Sequence, residues 1–97
     1  MARISFLARA DDDLFEIWDY IAADSVASAD SVIDAIASKI DHLASFPQMG
    51  PSRDDIISGG RLLVHGRYLV IYEFDEAADL VTILTVVEGS RDLTRLF

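Results

Sequence analysis

A chain of 97 residues, 52% hydrophobic and with a mean hydropathy of +0.29, is long enough for one core and too apolar for a disordered tail. The absence of cysteine excludes a disulfide scaffold, a cysteine-ligated zinc finger and a thiol enzyme, and it agrees with a reducing cytoplasm. Seventeen Asp and Glu against eight Lys and Arg leave a net charge of −9, opposite to what phosphate contacts demand of a nucleic-acid binder. Seven of the eight bases are arginine, with Lys39 the single lysine, and arginine suits fixed bidentate contacts. Apolar Ile4–Ala8 is cut off by Arg9 and Asp11–Asp13 before a signal-peptide core can form. Leu80–Val87 is too short to cross a bilayer. The chain reads as one soluble cytoplasmic domain over residues 1–97, with no direct contact to membrane or nucleic acid expected.

Arg3–Leu7 is predicted as a short strand. Leu14, Ile17, Trp18 and Ile21 then fall at the spacing of one helix face, with Asp12, Asp13, Glu16 and Asp19 opposite. The Asp11–Asp13 run is expected in the first turn, where the helix dipole favours negative charge and water solvates the rest. Asp24–Ser28 breaks the helix, and Ser25 or Ser28 can cap the next one. That second helix repeats Ala29, Val32, Ile33, Ile36, Ile40 and Leu43, and Phe46-Pro47 closes it. So short a connection makes an antiparallel hairpin, within which Trp18 and Tyr20 are expected to pack.

Gln48–Gly60 is irregular, broken by Gly50-Pro51 and Gly59-Gly60. Strands are predicted at Arg61–Val64 and Arg67–Phe74 about a His65-Gly66 turn, and at Leu80–Val87 after the polar turn Asp75–Asp79. The order β-α-α-β-β-β implies an α+β domain, the hairpin packed on one face of a small, mainly antiparallel sheet. The third strand splits into Tyr68, Val70, Tyr72 and Phe74 on one face and Leu69, Ile71 and Glu73 on the other. Two helices cover one face only, so a second cover is needed. The first strand, the C-terminal tail or another chain, a homodimer included, could supply it.

No metal-ligand cluster, phosphate loop or nucleophile triad emerges, and no cofactor or metal is expected. His42 and His65 fall at a helix end and a turn. Gly59-Gly60 lacks the strand-to-helix setting of a phosphate cradle. Arg61 and Arg91 have Glu73, Glu88 and Asp92 as available ionic partners.

Five segments carry a resemblance: Asp13-Leu14; Ile17–Ala22 (Ile-Trp-Asp-Tyr-Ile-Ala); Leu43–Gly50 (Leu-Ala-Ser-Phe-Pro-Gln-Met-Gly); Arg61 followed by Gly66–Tyr72; and Gly89–Leu93 (Gly-Ser-Arg-Asp-Leu). In order and spacing, the chain resembles the ParE branch of the RelE/ParE toxin superfamily over nearly its whole length. The resemblance implies the same β-α-α-β-β-β fold and the toxin role in a type II toxin–antitoxin system, with a ParD-like antitoxin as partner. It implies binding of a protein target, DNA gyrase in this branch, and no catalytic residues. The RelE branch instead cleaves mRNA in the ribosome, and an antitoxin-binding or self-associating module without toxicity is a third reading.

The positions matching the family's target-binding face are Arg61, Arg67, Tyr68, Glu88 and Arg91. The apolar surface expected to receive the antitoxin comprises Trp18, Ile21, Ile33, Ile36, Ile40, Leu69 and Ile71. The chain departs from the pattern at Glu73, where a basic residue is common, and at Glu88, where histidine is. Leu7-Ala8 also replaces the family's Ser-Pro helix start. The first two changes place a carboxylate where the family keeps a neutral or cationic group.

Overall fold

The computed structural model describes residues 1–90 and 92–97. Strand β1 (Arg3–Phe6) is followed by helices α1 (Ala8–Ala22) and α2 (Val26–Asp41), a 3-10 turn at His42–Ala44, strands β2 (Gly60–His65), β3 (Tyr68–Asp75) and β4 (Leu80–Glu88), and a 3-10 turn at Leu93–Arg95. The sheet order is β1-β4-β3-β2. β1 runs parallel to β4, from Arg3 opposite Leu80 to Phe6 opposite Ile83, and the other pairs are antiparallel. The expected α+β layering is the observed one.

Two local boundaries differ from expectation, the start of the first helix and the hairpin turn. Helix α1 starts at Ala8, before the acidic run, because Leu7 still donates its N–H to Ile83 of β4 while its carbonyl opens the helix. The strand thus passes into the helix without a loop, and only Asp11 remains in the first turn. Of the two candidate caps, Ser25 is the one used: its side chain accepts from the Ser28 N–H at 3.1 Å. The hairpin turn is Gly66-Arg67, since His65 still pairs with Tyr68. Gly66 takes the left-handed φ of +57° that this turn requires.

Both faces of the sheet are apolar, as the sequence suggests, and the chain covers both itself. Toward the helices, Leu63, Val70, Tyr72, Val81, Ile83 and Val86 meet Ala10, Ile36, Ile40 and Leu43. On the other face Leu62, Ile71, Leu84 and Val87 are covered by Ile56 and Ile57 of the 51–60 segment and by Leu93 and Leu96 of the tail. The two-sided strands therefore do not require a second chain. Ile36, Ile40 and Ile71, expected on a docking surface, are 0–1% exposed. They are core, because α2 turns Ile36 and Ile40 onto the sheet, while the 51–60 segment and the tail close over the opposite face that holds Ile71.

A bulge in β4 makes this division possible. Ile71 pairs with Thr85 but Tyr72 with Ile83, so Leu84 is the extra residue. The inserted residue shifts the alternation: Ile83 and Val86 share the helix face, while Leu84 and Val87 share the other. Beyond Phe6 β1 no longer covers this edge, and Asp13 of α1 takes its place. The Asp13 carboxylate accepts from the Val86 N–H at 3.0 Å and from the hydroxyl of fully buried Thr85. Asp13 is thus a structural acceptor rather than part of a solvated acidic run.

A second lock holds the 47–50 segment. The hydroxyl of buried Tyr72 accepts from the Gly50 N–H and donates to the Pro47 carbonyl, both at 2.9 Å. Arg61, beside Tyr72 on β2, donates to the carbonyls of Gly50 at 2.7 Å and Gln48 at 3.2 Å. Gly50 is required by close approach: a Cβ there would lie 2.5 Å from the Leu62 carbonyl oxygen and 2.9 Å from the Tyr72 ring. Burial pushes the Tyr72 hydroxyl above its ordinary value, against the opposing pull of the Gly50 N–H and the Arg61 charge.

Two predictions follow from these locks. Asp13→Ala should cost about 1.5–3 kcal/mol in chemical denaturation by orphaning two donors, whereas exposed Asp12→Ala should stay within about 0.5 kcal/mol. Tyr72→Phe should cost about 1–3 kcal/mol at neutral pH. Because folding raises the Tyr72 value, its contribution is complete below the unfolded phenol value near 10. It is lost as pH climbs from there through the folded value. The alkaline limb of a Tm–pH profile should accordingly be shallower in Tyr72→Phe than in the parent.

Candidate functional site

A cleft of about 400 Å³ opens between α1 and the joined ends of β3 and β4. Its lining is Asp13, Glu16, Ile17 and Tyr20 from α1, Arg67 and Tyr68 from the β2–β3 turn and the start of β3, and Val86, Val87 and Glu88 from β4. The register explains the assembly, since Tyr68 pairs with Glu88 at the open end of the β3–β4 ladder. The Gly89 N–H donates to the Arg67 carbonyl at 2.6 Å and fixes the turn against the strand end. On α1, positions 13, 16, 17 and 20 recur at helical spacing and share one flank.

Arg67, Tyr68 and Glu88 of the expected target-binding set are therefore brought together. Arg61 is not among them. It sits four residues from the turn end of β2, roughly 13 Å along the strand, with its guanidinium spent on the 47–50 carbonyls. Among the described residues it pairs with no carboxylate, contrary to the ionic partners available in the sequence. Arg91 lies outside the described residues. Glu73 is half-buried and pairs with Gly60 and Thr82 at the far end of β3, so its departure from the family pattern does not touch the cleft. The departure at Glu88 does, and its carboxylate engages the N–H and hydroxyl of Ser90.

The electrostatics of the cleft are set by these placements. Arg67 is exposed, joins no ion pair among the described residues, and is the one cation among the described lining residues. Three carboxylates face it, with the Asp13 carboxylate committed to Thr85 and Val86. Tyr68 packs its ring on the main core, whereas Tyr20 is 78% exposed and forms the outer lip rather than packing in the hairpin. Among the described residues no three His, Asp or Glu side chains are arranged to hold a metal ion. Neither histidine lines the cleft. The sequence reading missed Asp13, Glu16 and Tyr20 as lining residues; their common flank was legible in the spacing, but the apolar stripe beside it drew the assignment.

Of the expected apolar surface, Trp18, Ile21, Ile33 and Leu69 are half-buried. Trp18 stacks on Phe15, with ring centroids 6.5 Å apart, and its indole N–H donates to Asp30 of α2 at 2.8 Å. It joins the two helices while leaving part of its ring accessible. Among the described residues no helix is long and apolar enough to cross a membrane.

Comparison with known proteins bears on the whole of this arrangement. The chain superposes on the toxin–antitoxin ParDE system of P. aeruginosa with a TM-score of 0.76 and 19% identity, over 91% of this chain and 96% of that one. The intact E. coli RelBE toxin–antitoxin complex gives 0.70 at 14% identity, over 94% and 100%. RelBE2 of Mycobacterium tuberculosis gives 0.64 at 20% identity, over 90% and 96%. At these identities the likeness is one of fold. No curated protein matches the chain in sequence. The family model described as the ParE toxin of the type II toxin–antitoxin system, parDE, matches residues 4–93, from the first strand to the turn after the last. With that match over nearly the whole chain, and with the fold in agreement, this protein belongs to the ParE toxin family of type II toxin–antitoxin systems.

Proposed function

We propose that this ParE-family toxin acts by binding a protein target, DNA gyrase being the target the family implies, and that a ParD-like antitoxin neutralises it. The observation that carries this reading is the composition of the cleft: among the described residues, one arginine outside any ion pair, Arg67, stands among carboxylates and tyrosines. Cleavage of RNA needs cations on the scissile phosphate and an acid–base pair within reach of the 2′-hydroxyl. An anionic rim instead repels a phosphate backbone. A concave surface with an apolar floor, two tyrosines and one exposed arginine has the composition of a protein-binding hot spot. The antitoxin reading is supported by the ParDE and RelBE complexes among the fold's relatives.

Controlled expression of the chain alone, scored for growth and for supercoiling, tests the proposal. Growth arrest with loss of supercoiling is expected. Arrest with supercoiling intact and mRNA cut would move the protein to the RelE mode of action. Normal growth with folded protein would make it an inert binding module.

Two arginine variants separate site from scaffold. Arg67→Ala should reduce inhibition of the target at least about ten-fold, the loss typical of a hot-spot residue, with Tm unchanged. Arg61→Ala should instead lower stability by about 1–2 kcal/mol, or about 4–15 °C in Tm for a domain of this size, by freeing the 47–50 segment.

A further inference from the structure

The helix hairpin carries most of the protein's charge imbalance. Nine of the seventeen carboxylates lie within residues 8–41, against only Arg9 and Lys39. Both bases are occupied away from the outer face of the hairpin. Arg9 donates to the Leu96 carbonyl at 3.2 Å and lies over the Phe97 ring at 5.2 Å. Lys39 donates to the Val64 carbonyl of β2 at 2.5 Å.

On that outer face Asp11, Asp12, Asp19, Asp30 and Asp34 are all exposed, and none is in an ion pair among the described residues. Amid them stands an apolar feature that the core does not use. Phe15 is 65% exposed and stacks on Trp18, which is bonded to Asp30 across the hairpin. Antiparallel packing in this register brings half-buried Ile33, one turn further along α2, level with Phe15. The result is an aromatic groove between two helices, fringed by carboxylates and, among the described residues, without a compensating cation.

We infer that this groove docks a partner segment that is both basic and amphipathic, with apolar anchors seated on Phe15, Trp18 and Ile33 and Lys or Arg side chains meeting the flanking aspartates. Charge complementarity decides the occupant. An acidic segment would face like charge along the groove's length, whereas a basic one gains attraction on approach. Its guanidinium or ammonium groups can also lie over the exposed aromatic rings. An amphipathic helix in a groove reads as anchors at i, i+3, i+4 and i+7. The inference deepens the reading of an antitoxin partner, and it names that partner's chemistry.

The test needs neither toxicity nor the natural partner. Trp18 is the only tryptophan, so its fluorescence reports from within the groove. Three synthetic helical peptides of about 18 residues, five turns, are titrated into the full chain. The first carries leucines on one stripe with lysine and arginine flanking it; the second replaces the bases by glutamate; the third replaces the leucines by serine.

The basic amphipathic peptide should shift Trp18 emission and bind at least about ten-fold more tightly than either control. It should also weaken at least about three-fold between about 50 and 300 mM salt. Phe15→Ala, at a site too exposed to threaten the fold, should weaken it about ten-fold further, and Asp12→Asn with Asp19→Asn and Asp34→Asn should abolish the salt dependence. Equal or tighter binding of the glutamate peptide, binding that leaves Trp18 unmoved, or no binding at all would overturn the inference. Each of these outcomes can occur in a protein that still arrests growth, so the toxin reading stands or falls separately.

Discussion

The hydroxyl of Tyr72 is the pin on which the two halves of the molecule turn. Its ring belongs to the main core, in the middle of the third strand, while its oxygen reaches out to both ends of a turn that would otherwise lack partners. An irregular segment next to a core must have its backbone polar groups satisfied, or it lies open to water. Here one phenol and one guanidinium do so together, and Gly50 supplies the closeness that lets them reach. The turn that follows the helices is thereby fastened to β2 and β3, and the 51–60 segment beyond it is delivered to the opposite face of the sheet. Without that delivery Leu62, Ile71 and Leu84 would lack part of their cover.

This changes what the family-like residues mean. Leu43–Gly50, Arg61 and the strand ending in Tyr72 look like separate signatures when read along the chain. In the fold, Pro47, Gln48, Gly50, Arg61 and Tyr72 form one hydrogen-bonded unit. Arg61 resembles a target-binding residue because its neighbours in the sequence do, yet its guanidinium faces inward to two carbonyls. A buried need for donors and an exposed need for a ligand contact select the same residue type, and only geometry separates them.

Much of the architecture was legible in the sequence. Helical spacing located both helices, the alternation of β3 located both sheet faces residue by residue, and the two-sided strands announced a second cover. Three features were hidden for related reasons. The Leu84 bulge leaves no mark in a run of valines, isoleucines and threonines, since any of them could be the inserted residue. The role of Asp13 depends on β1 ending before β4 does, which is a property of the sheet and not of any local segment. Ile36, Ile40 and Ile71 read as surface in the sequence because apolar periodicity shows which residues share a face, without showing what already covers it. Of the cleft, Arg67, Tyr68 and Glu88 were found through the family pattern; Asp13, Glu16 and Tyr20 became visible only when α1 was laid along the strand ends.

The parallel pairing of the first strand with the last has a consequence for when the molecule can exist at all. Arg3 finds its partner at Leu80, so the sheet closes across almost the full length of the chain. Contacts so distant in sequence form late, after the loop between them has been ordered. While the ribosome is still translating the helices, β1 has no neighbour, α1 has no strand beneath Asp13, and the cleft has only one wall. The nascent polypeptide therefore stays without a finished cleft until β4 has left the exit tunnel. Chain topology alone thus sets an interval between the making of the helices and the completion of the cleft.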